Sequence, residues 1–144
     1  MAATFPFRRV VGVEYSAELN ARAAELFARY KSRLACQVVE FVTSDATQFD
    51  LPPDVTVIYF FNPFWGAVLQ GVIAKIRQSL DSHPRRLRII WHYEPGEIRA
   101  KLADQLPGLR QLGEVKYPEC YPGPGSFAVF TASAVPEDPS LSNA

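Results

Sequence analysis

Arg9-Val-Val-Gly-Val-Glu14-Tyr-Ser16 is the stretch that decides the fold. Its apolar run ends on an acid, which predicts a strand whose carboxyl end carries a polar group. Ser16 then offers a side-chain oxygen that caps a helix. From Ala17 to Lys31 apolar residues recur at helical spacing, so we predict an amphipathic helix with one buried stripe. A strand leading directly into a helix is the repeating unit of α/β folds.

The same alternation continues along the chain. The nearly continuous apolar run Val55–Phe61 predicts a central strand that is covered on both faces. The turn-rich loop 118–125 suits an antiparallel return to the sheet. We therefore predict a Rossmann-like α/β sheet, mostly parallel with an antiparallel last strand. The other expected elements are strands over Val38–Val42, Leu87–Trp91, Gln111–Tyr117 and Phe127–Ala132, and helices over Val68–Leu80 and Glu97–Leu106.

Bulk composition limits the class of protein without naming a partner. The 144 residues are 48% hydrophobic, which suits one globular domain over residues 1–134 followed by a disordered tail, 135–144. Fifteen basic and fifteen acidic side chains cancel, so no global field attracts nucleic acid or an anionic membrane.

Targeting and cysteine signals are weak. No apolar stretch approaches the ~20 residues that span a bilayer, and we expect a cytoplasmic protein without a membrane partner. Cys36 and Cys120 lack the spacing of a zinc site, so we expect reduced thiols and no metal.

Polar residues at predicted strand ends are the candidate ligand-binding groups, because open α/β sheets bind ligands beyond the carboxyl ends of their strands. Glu14 ends the first strand, Asp45 and Ala46 follow the second, and Asn62-Pro63-Phe64 follows the third. Each also has a structural explanation, as a helix-dipole partner, a turn former or a strand terminator. Their joint occurrence at successive strand ends favours a nucleoside pocket.

These segments resemble those of class I S-adenosylmethionine-dependent methyltransferases. The resemblance covers nearly the whole chain and implies S-adenosylmethionine as cofactor, together with a methyl acceptor that the sequence does not identify. It implies that Glu14 binds the ribose hydroxyls and that Tyr15 packs on the adenine. It also implies that Asp45 accepts from the adenine amino group and that Ala46 supplies its backbone environment. Asn62 would lie beside the transferred methyl group.

Asn62-Pro63-Phe64 would be the catalytic segment under this resemblance. Family members that act on planar amino groups carry Asn/Asp-Pro-Pro-Tyr/Phe at this place, whose polar groups accept from the target nitrogen while the aromatic ring stacks on it. This chain keeps one proline only, and Phe64 has packing above the sheet edge as its other explanation. His92 is a further candidate, as a general base or as a structural residue.

A Gly-x-Gly-x-Gly turn, which in the family approaches the amino-acid part of the cofactor, does not precede Arg9. In the family, the strand before that turn lies between the strands that correspond to those ending at Glu14 and at Phe61. We therefore expect an N-terminally incomplete sheet with open edges, through which the chain could self-associate.

Two other functions remain open at this stage. One is a non-catalytic methyltransferase-like module that binds a partner through its sheet edges. The other is a nucleotide-dependent dehydrogenase, because an acid after the second strand also serves dinucleotide sites. Asp45 and Asn62-Pro63-Phe64 fit the dehydrogenase less well.

Overall fold

The computed structural model describes residues 2–61, 65–92, 102–106, 108–116 and 126–133. The chain divides into two compact units, an amino-terminal unit, Met1–Phe49, and a carboxy-terminal unit, Asp50–Ala144. Each unit has its own hydrogen-bonded sheet. The predicted α/β fold class is confirmed, while the predicted tail, 135–144, lies outside the described residues.

The amino-terminal unit is a parallel strand–helix–strand motif. Its two strands run side by side, with Val10 opposite Val39 and Glu14 opposite Thr43. The helix begins after Ser16, whose Oγ accepts a hydrogen bond from the Leu19 amide at 3.3 Å. The elements are β1 (Val10–Glu14), α1 (Ala17–Tyr30) and β2 (Val39–Thr43), with single 3₁₀ turns at Ala2–Thr4 and Lys31–Arg33.

In its described residues, the carboxy-terminal unit contains one helix over a four-stranded sheet, with a further helical turn at residues 102–105. The strand order is β3-β4-β6-β5. β3 and β4 are parallel, whereas β6 runs antiparallel to both of its neighbours, as the turn-rich loop predicted. The elements are β3 (Val57–Phe61), α2 (Gly66–Ser82), β4 (Arg86–His92), β5 (Arg110–Lys116) and β6 (Ser126–Ser133).

The apolar core of the described residues lies almost wholly in the carboxy-terminal unit. Trp91 and Phe130 are 1% exposed, and the Phe60 ring lies 4.5 Å from that of Trp91, centroid to centroid. The helix buries an apolar stripe, as its spacing predicted, formed by Leu69, Val72, Ile73, Ile76 and Leu80.

Arg85 ties the end of α2 to the residues that precede β3. Its guanidinium donates to the carbonyl oxygens of Val55 at 2.7 Å, Ser79 at 3.0 Å and His83 at 2.8 Å, and to Ser79 Oγ at 2.9 Å. A guanidinium offers five donors, so one side chain satisfies several helix-end and loop acceptors at once.

The prediction that β3 is a central strand covered on both faces is wrong for the sheet described here. β3 stands at the end of the strand order, and Tyr59 and Phe61 are 51% and 55% exposed. The apolar run predicted the strand correctly. The place of β3 in the strand order depends on which strands pair with it, and an apolar run carries no information about pairing.

The amino-terminal unit buries far less. Among its described residues only Ala3, Asn20 and Cys36 are buried. The Cys36 thiol is free and donates to the Val38 carbonyl oxygen at 3.2 Å. The single buried residue of α1 is therefore polar, and the apolar stripe predicted for that helix remains largely exposed.

Candidate cofactor site at the carboxyl ends of β1 and β2

Glu14 is held in place at the carboxyl end of β1. Its Oε1 accepts a hydrogen bond from the Ser16 amide at 2.8 Å, and its carbonyl oxygen accepts from the Ser44 amide at 3.1 Å. Among the described residues, none donates to Oε2. One carboxylate oxygen is thus fixed by the backbone, and the other can accept a hydrogen bond from a ligand hydroxyl.

Asp45 has the same half-engaged carboxylate just beyond β2. Its Oδ1 accepts from the amide and the hydroxyl of Thr47, both at 2.8 Å. The amide hydrogen bond, with a smaller contribution from the hydroxyl, holds the pKa of this exposed carboxyl below its usual value. Within the described part of the chain nothing donates to Oδ2, which leaves an ionised acceptor at neutral pH.

The two carboxylates belong to neighbouring strand ends. Glu14 lies opposite Thr43, and Asp45 follows two residues later, at the start of the turn 46–48. Two acceptors that are ionised or held by backbone amides suit a ligand rich in donors, such as vicinal hydroxyls or an exocyclic amine. The sequence predicted that the two residues follow or end successive strands, and the structure has Glu14 as the last residue of β1 and Asp45 two residues after β2.

Tyr15 and Ala46 flank these carboxylates. Tyr15 follows Glu14 and is 80% exposed, and Ala46 is half-buried in the turn that Asp45 begins. Their predicted contacts with an adenine ring stay predictions. A side chain that is so exposed leaves its ring free to cover a ligand at this edge.

Asn20 is a residue of this region that sequence reasoning did not select. It is 6% exposed, and its Nδ2 donates to Thr43 Oγ1 at 2.7 Å, which joins α1 to the end of β2. The sequence holds one signal for Asn20, because it lies on the same face of α1 as Phe27. That face packs toward the sheet, since the Phe27 ring lies 5.9 Å from that of Phe41. The contact positions the strand end from which Asp45 extends.

The predicted catalytic residues Asn62, Pro63 and Phe64 lie outside the described residues. On the described sides of that gap, Phe61 ends β3 and Trp65 precedes α2, both more than half exposed. Gly66, at φ +57°, begins the helix in a backbone conformation that favours glycine.

His92, the other candidate of this unit, is a packed residue at the end of β4. Its ring stacks on Phe61, with centroids 4.2 Å apart and planes 21° apart, and lies 5.1 Å from the Phe127 ring. The side chain is only 7% exposed. This environment agrees with the structural explanation of His92 and gives no support to a role as general base.

The described residues contain no group of three or more His, Cys, Asp or Glu that could hold a metal ion. None of their helices is long and apolar enough to cross a membrane.

Comparison with known proteins identifies the fold. No protein-family model and no curated protein matches the chain. Its structure is similar to that of the candidate methylase HI0767 of Haemophilus influenzae, at 12% identity and a TM-score of 0.50, over 88% of this chain and 67% of that one. The candidate methyltransferase yhhF of Escherichia coli gives 13% identity and a TM-score of 0.45, over 89% of this chain and 66% of that one. By its similarity to HI0767, the chain has a methyltransferase-like fold. It spans about two thirds of the length of each of these two proteins.

Proposed function

We propose that this chain binds the adenosine part of S-adenosylmethionine at the carboxyl ends of β1 and β2 and belongs to an S-adenosylmethionine-dependent methyltransferase of class I. The observation that carries the proposal is the pair of half-engaged carboxylates, Glu14 and Asp45, on adjacent strand ends. The methyltransferase-like fold is consistent with it.

The two carboxylate acceptors fit the hydrogen-bond donors of the cofactor's nucleoside. Glu14 would accept from the ribose hydroxyls, since its Oε1 is already oriented by the Ser16 amide. Asp45 would accept from the adenine amino group, and its lowered pKa keeps it ionised while it does so. Tyr15 would cover the adenine and Ala46 would border it. When bound, S-adenosylmethionine supplies an electrophilic methyl group on a sulfonium.

The proposal includes the acceptor side of the reaction. Asn62 and a backbone carbonyl of the Asn62-Pro63-Phe64 segment would accept hydrogen bonds from a planar amino group, and Phe64 would stack on its plane, which orients it for in-line attack. Catalysis would rest on positioning, which can contribute several kcal/mol, on the order of 7–11, to lowering a barrier. The acceptor itself is left open.

The amino-acid end of the cofactor has no counterpart in these residues. The 144 residues contain no Gly-x-Gly-x-Gly run. The proposal therefore includes an N-terminally incomplete methyltransferase, and for this chain it covers only the adenosine part of the cofactor. It follows that adenosine should bind to this chain with nearly the affinity of S-adenosylhomocysteine.

Isothermal titration calorimetry of the folded chain with S-adenosylhomocysteine and with adenosine tests the proposal. We expect the two ligands to agree within about threefold, and Glu14→Gln to weaken both by about tenfold or more, because a charged hydrogen bond contributes ~1.5–3 kcal/mol. Glu25→Gln, an exposed acid of α1, is the matched control and should change nothing. Absence of binding, or equal effects of the two substitutions, would reject the site.

A second candidate function is a non-catalytic methyltransferase-like module. The observation that favours it is the exposed apolar surface of the amino-terminal unit, where Leu19 and Leu26 of α1 are 53% and 49% exposed. A folded chain that binds neither ligand but associates with a protein would support this alternative.

A further inference from the structure

The outer edge of β1, the side away from β2, presents the backbone N–H and C=O groups of two residues, Val11 and Val13. The Val10 amide donates to Val38 O at 3.0 Å and the Glu14 carbonyl accepts from Ser44 N at 3.1 Å, so these residues face β2. Backbone groups alternate in direction along a strand, and the amides and carbonyls of Val11 and Val13 therefore point away from β2. Gly12, between them, is exposed.

An apolar flank of α1 lies on the same side as this edge. The face of α1 toward the sheet is marked by Asn20, which contacts Thr43, and by Phe27, which contacts Phe41. Leu19, Leu26 and Tyr30, 53%, 49% and 41% exposed, lie about 80–120° around the helix from that face, all in one direction.

The handedness of the motif shows which way this flank faces. A parallel strand–helix–strand connection is right-handed in about 98% of cases, and α1 runs antiparallel to its strands. With that handedness, positions just N-terminal to the sheet-facing ones, such as Leu19 before Asn20 and Leu26 before Phe27, face the open side of β1. Edge and flank together form one surface, which we call the β1 docking surface.

We propose that two copies of the chain associate through the β1 docking surface, about a two-fold axis that passes beside Gly12. The two β1 strands would run antiparallel, with Val11 of one copy opposite Val13 of the other. Their outward backbone groups would then exchange both N–H···O bonds, and the glycines would meet in the closer, non-hydrogen-bonded pair, with Cα atoms ~4.5 Å apart. A glycine offers no Cβ to oppose that approach.

The surface is complementary to itself in three respects. A two-fold operation pairs the outward donors of β1 with its outward acceptors. It leaves both helices on the same face of the joined sheet, so that the flank of one α1 faces the flank of the other. It also sets the Arg8-Arg9 end of one strand beside the Glu14 end of its partner, which places opposite charges next to each other. These features select a second copy over an unrelated strand.

The association can be tested separately from cofactor binding through the flank of α1 and through Gly12, because neither belongs to the proposed adenosine site. Sedimentation of the full chain should show a dimer. Leu26→Glu places a charge in the flank of each copy, so that two like charges face each other across the two-fold axis. We expect it to weaken association at least tenfold. Ala28→Glu, at an exposed position on the opposite side of α1, is the matched control and should leave the dimer unchanged.

A disulfide at the axis tests the geometry itself. Gly12→Cys should form a covalent dimer on oxidation, because the expected Cα separation lies within the ~4.4–6.8 Å that disulfides bridge. A Cβ at Gly12 meets only Glu40 O, at 3.9 Å, so the substitution fits the fold. Gly113→Cys, at an exposed glycine of β5, is the control and should stay monomeric on a non-reducing gel.

Three results would overturn the proposal. A folded chain that sediments as a monomer at 100 µM would do so and would leave the edge to a strand of another polypeptide. Equal weakening by Leu26→Glu and Ala28→Glu would remove the flank from the contact. A dimer without crosslinking at Gly12→Cys would mean that the copies associate through a different surface.

Discussion

The two units of this molecule differ in what their helices bury. α2 buries a continuous apolar stripe that includes Ile73 and Ile76, each 1% exposed, whereas the only buried residue of α1 is Asn20. Burial of a large aliphatic side chain contributes ~1.5–3 kcal/mol, so the carboxy-terminal unit has most of the hydrophobic stabilisation. The proposed ligand site lies in the unit with the smaller core, where local stability is expected to be low.

The largest effect expected from this difference is in the carboxy-terminal core. Ile73→Ala should lower the free energy of unfolding by about 2–5 kcal/mol, because it removes a buried side chain and leaves a cavity. Leu26→Ala, on the exposed flank of α1, should change it by less than about 0.5 kcal/mol. Both tryptophans of the chain, Trp65 and Trp91, lie in the carboxy-terminal unit, so urea unfolding followed by tryptophan fluorescence measures Ile73→Ala. Hydrogen exchange of the α1 amides in the same urea series measures Leu26→Ala. Equal losses for the two variants would contradict the comparison.

The next effect concerns the polar contact that joins α1 to β2. Asn20→Leu alone should cost about 0.5–1.5 kcal/mol in the amino-terminal unit, because it removes the 2.7 Å hydrogen bond between Asn20 Nδ2 and Thr43 Oγ1. Combining it with Thr43→Val should recover most of that loss, since both polar partners are then replaced by apolar groups. Hydrogen exchange of the β2 amides measures both. A double variant as unstable as the sum of the single ones would show that the contact is not the cause.

A smaller effect is expected at the start of α1. Ser16→Ala removes the side-chain cap of the Leu19 amide and should cost about 1 kcal/mol. In α2 the corresponding position is Trp65, which makes no side-chain cap hydrogen bond, so Trp65→Ala should cost nothing through capping. Hydrogen exchange of the first-turn amides of α1 and α2 measures the effects of Ser16→Ala and Trp65→Ala. Equal protection of the α1 amides in the wild type and in Ser16→Ala would contradict the prediction.

The smallest effect is the pH dependence at Asp45. Its folded pKa is lowered by the Thr47 amide first and the Thr47 hydroxyl second. The stabilisation that this carboxylate contributes is therefore present above its unfolded pKa, about 3.9, and is lost as the pH falls through the lower folded value. Thr47→Val removes the hydroxyl bond only and should raise the pKa by part of the difference. Carboxyl ¹³C NMR titration measures it, and an unchanged pKa in Thr47→Val would exclude the hydroxyl as a cause.

The sequence predicted the periodic elements better than it predicted which strands stand at the edge of the sheet. The helical spacing of Val68–Leu80 predicted α2, and the apolar run Leu87–Trp91 predicted β4. Both predictions succeed because the pattern of apolar residues shows which positions of a helix or strand are buried. The apolar run of β3 did not show its exposure, since the order of strands depends on contacts between distant segments. The open edges expected for an incomplete sheet did include the strand that ends at Phe61. Asn20 was missed for another reason: a buried amide reads as a surface residue unless its partner, Thr43, is known.

The candidate site could be predicted in part. Glu14 and Asp45 were found from their places after apolar runs, and parallel strands bring their carboxyl ends to one edge. The sequence could not predict that Ser16 and Thr47 each fix one oxygen of these carboxylates, because hydrogen bonds in turns depend on backbone geometry. Asn62-Pro63-Phe64 stays a prediction from the sequence.

An NMR titration of the chain with adenosine tests the central claim most directly. The account predicts amide shift changes confined to Glu14–Ser16 and Ser44–Thr47, which saturate with ligand and disappear in Glu14→Gln. Shift changes centred in the carboxy-terminal unit, or the same changes in wild type and Glu14→Gln, would contradict it. So would a spectrum of the folded chain that adenosine at millimolar concentration leaves unaltered.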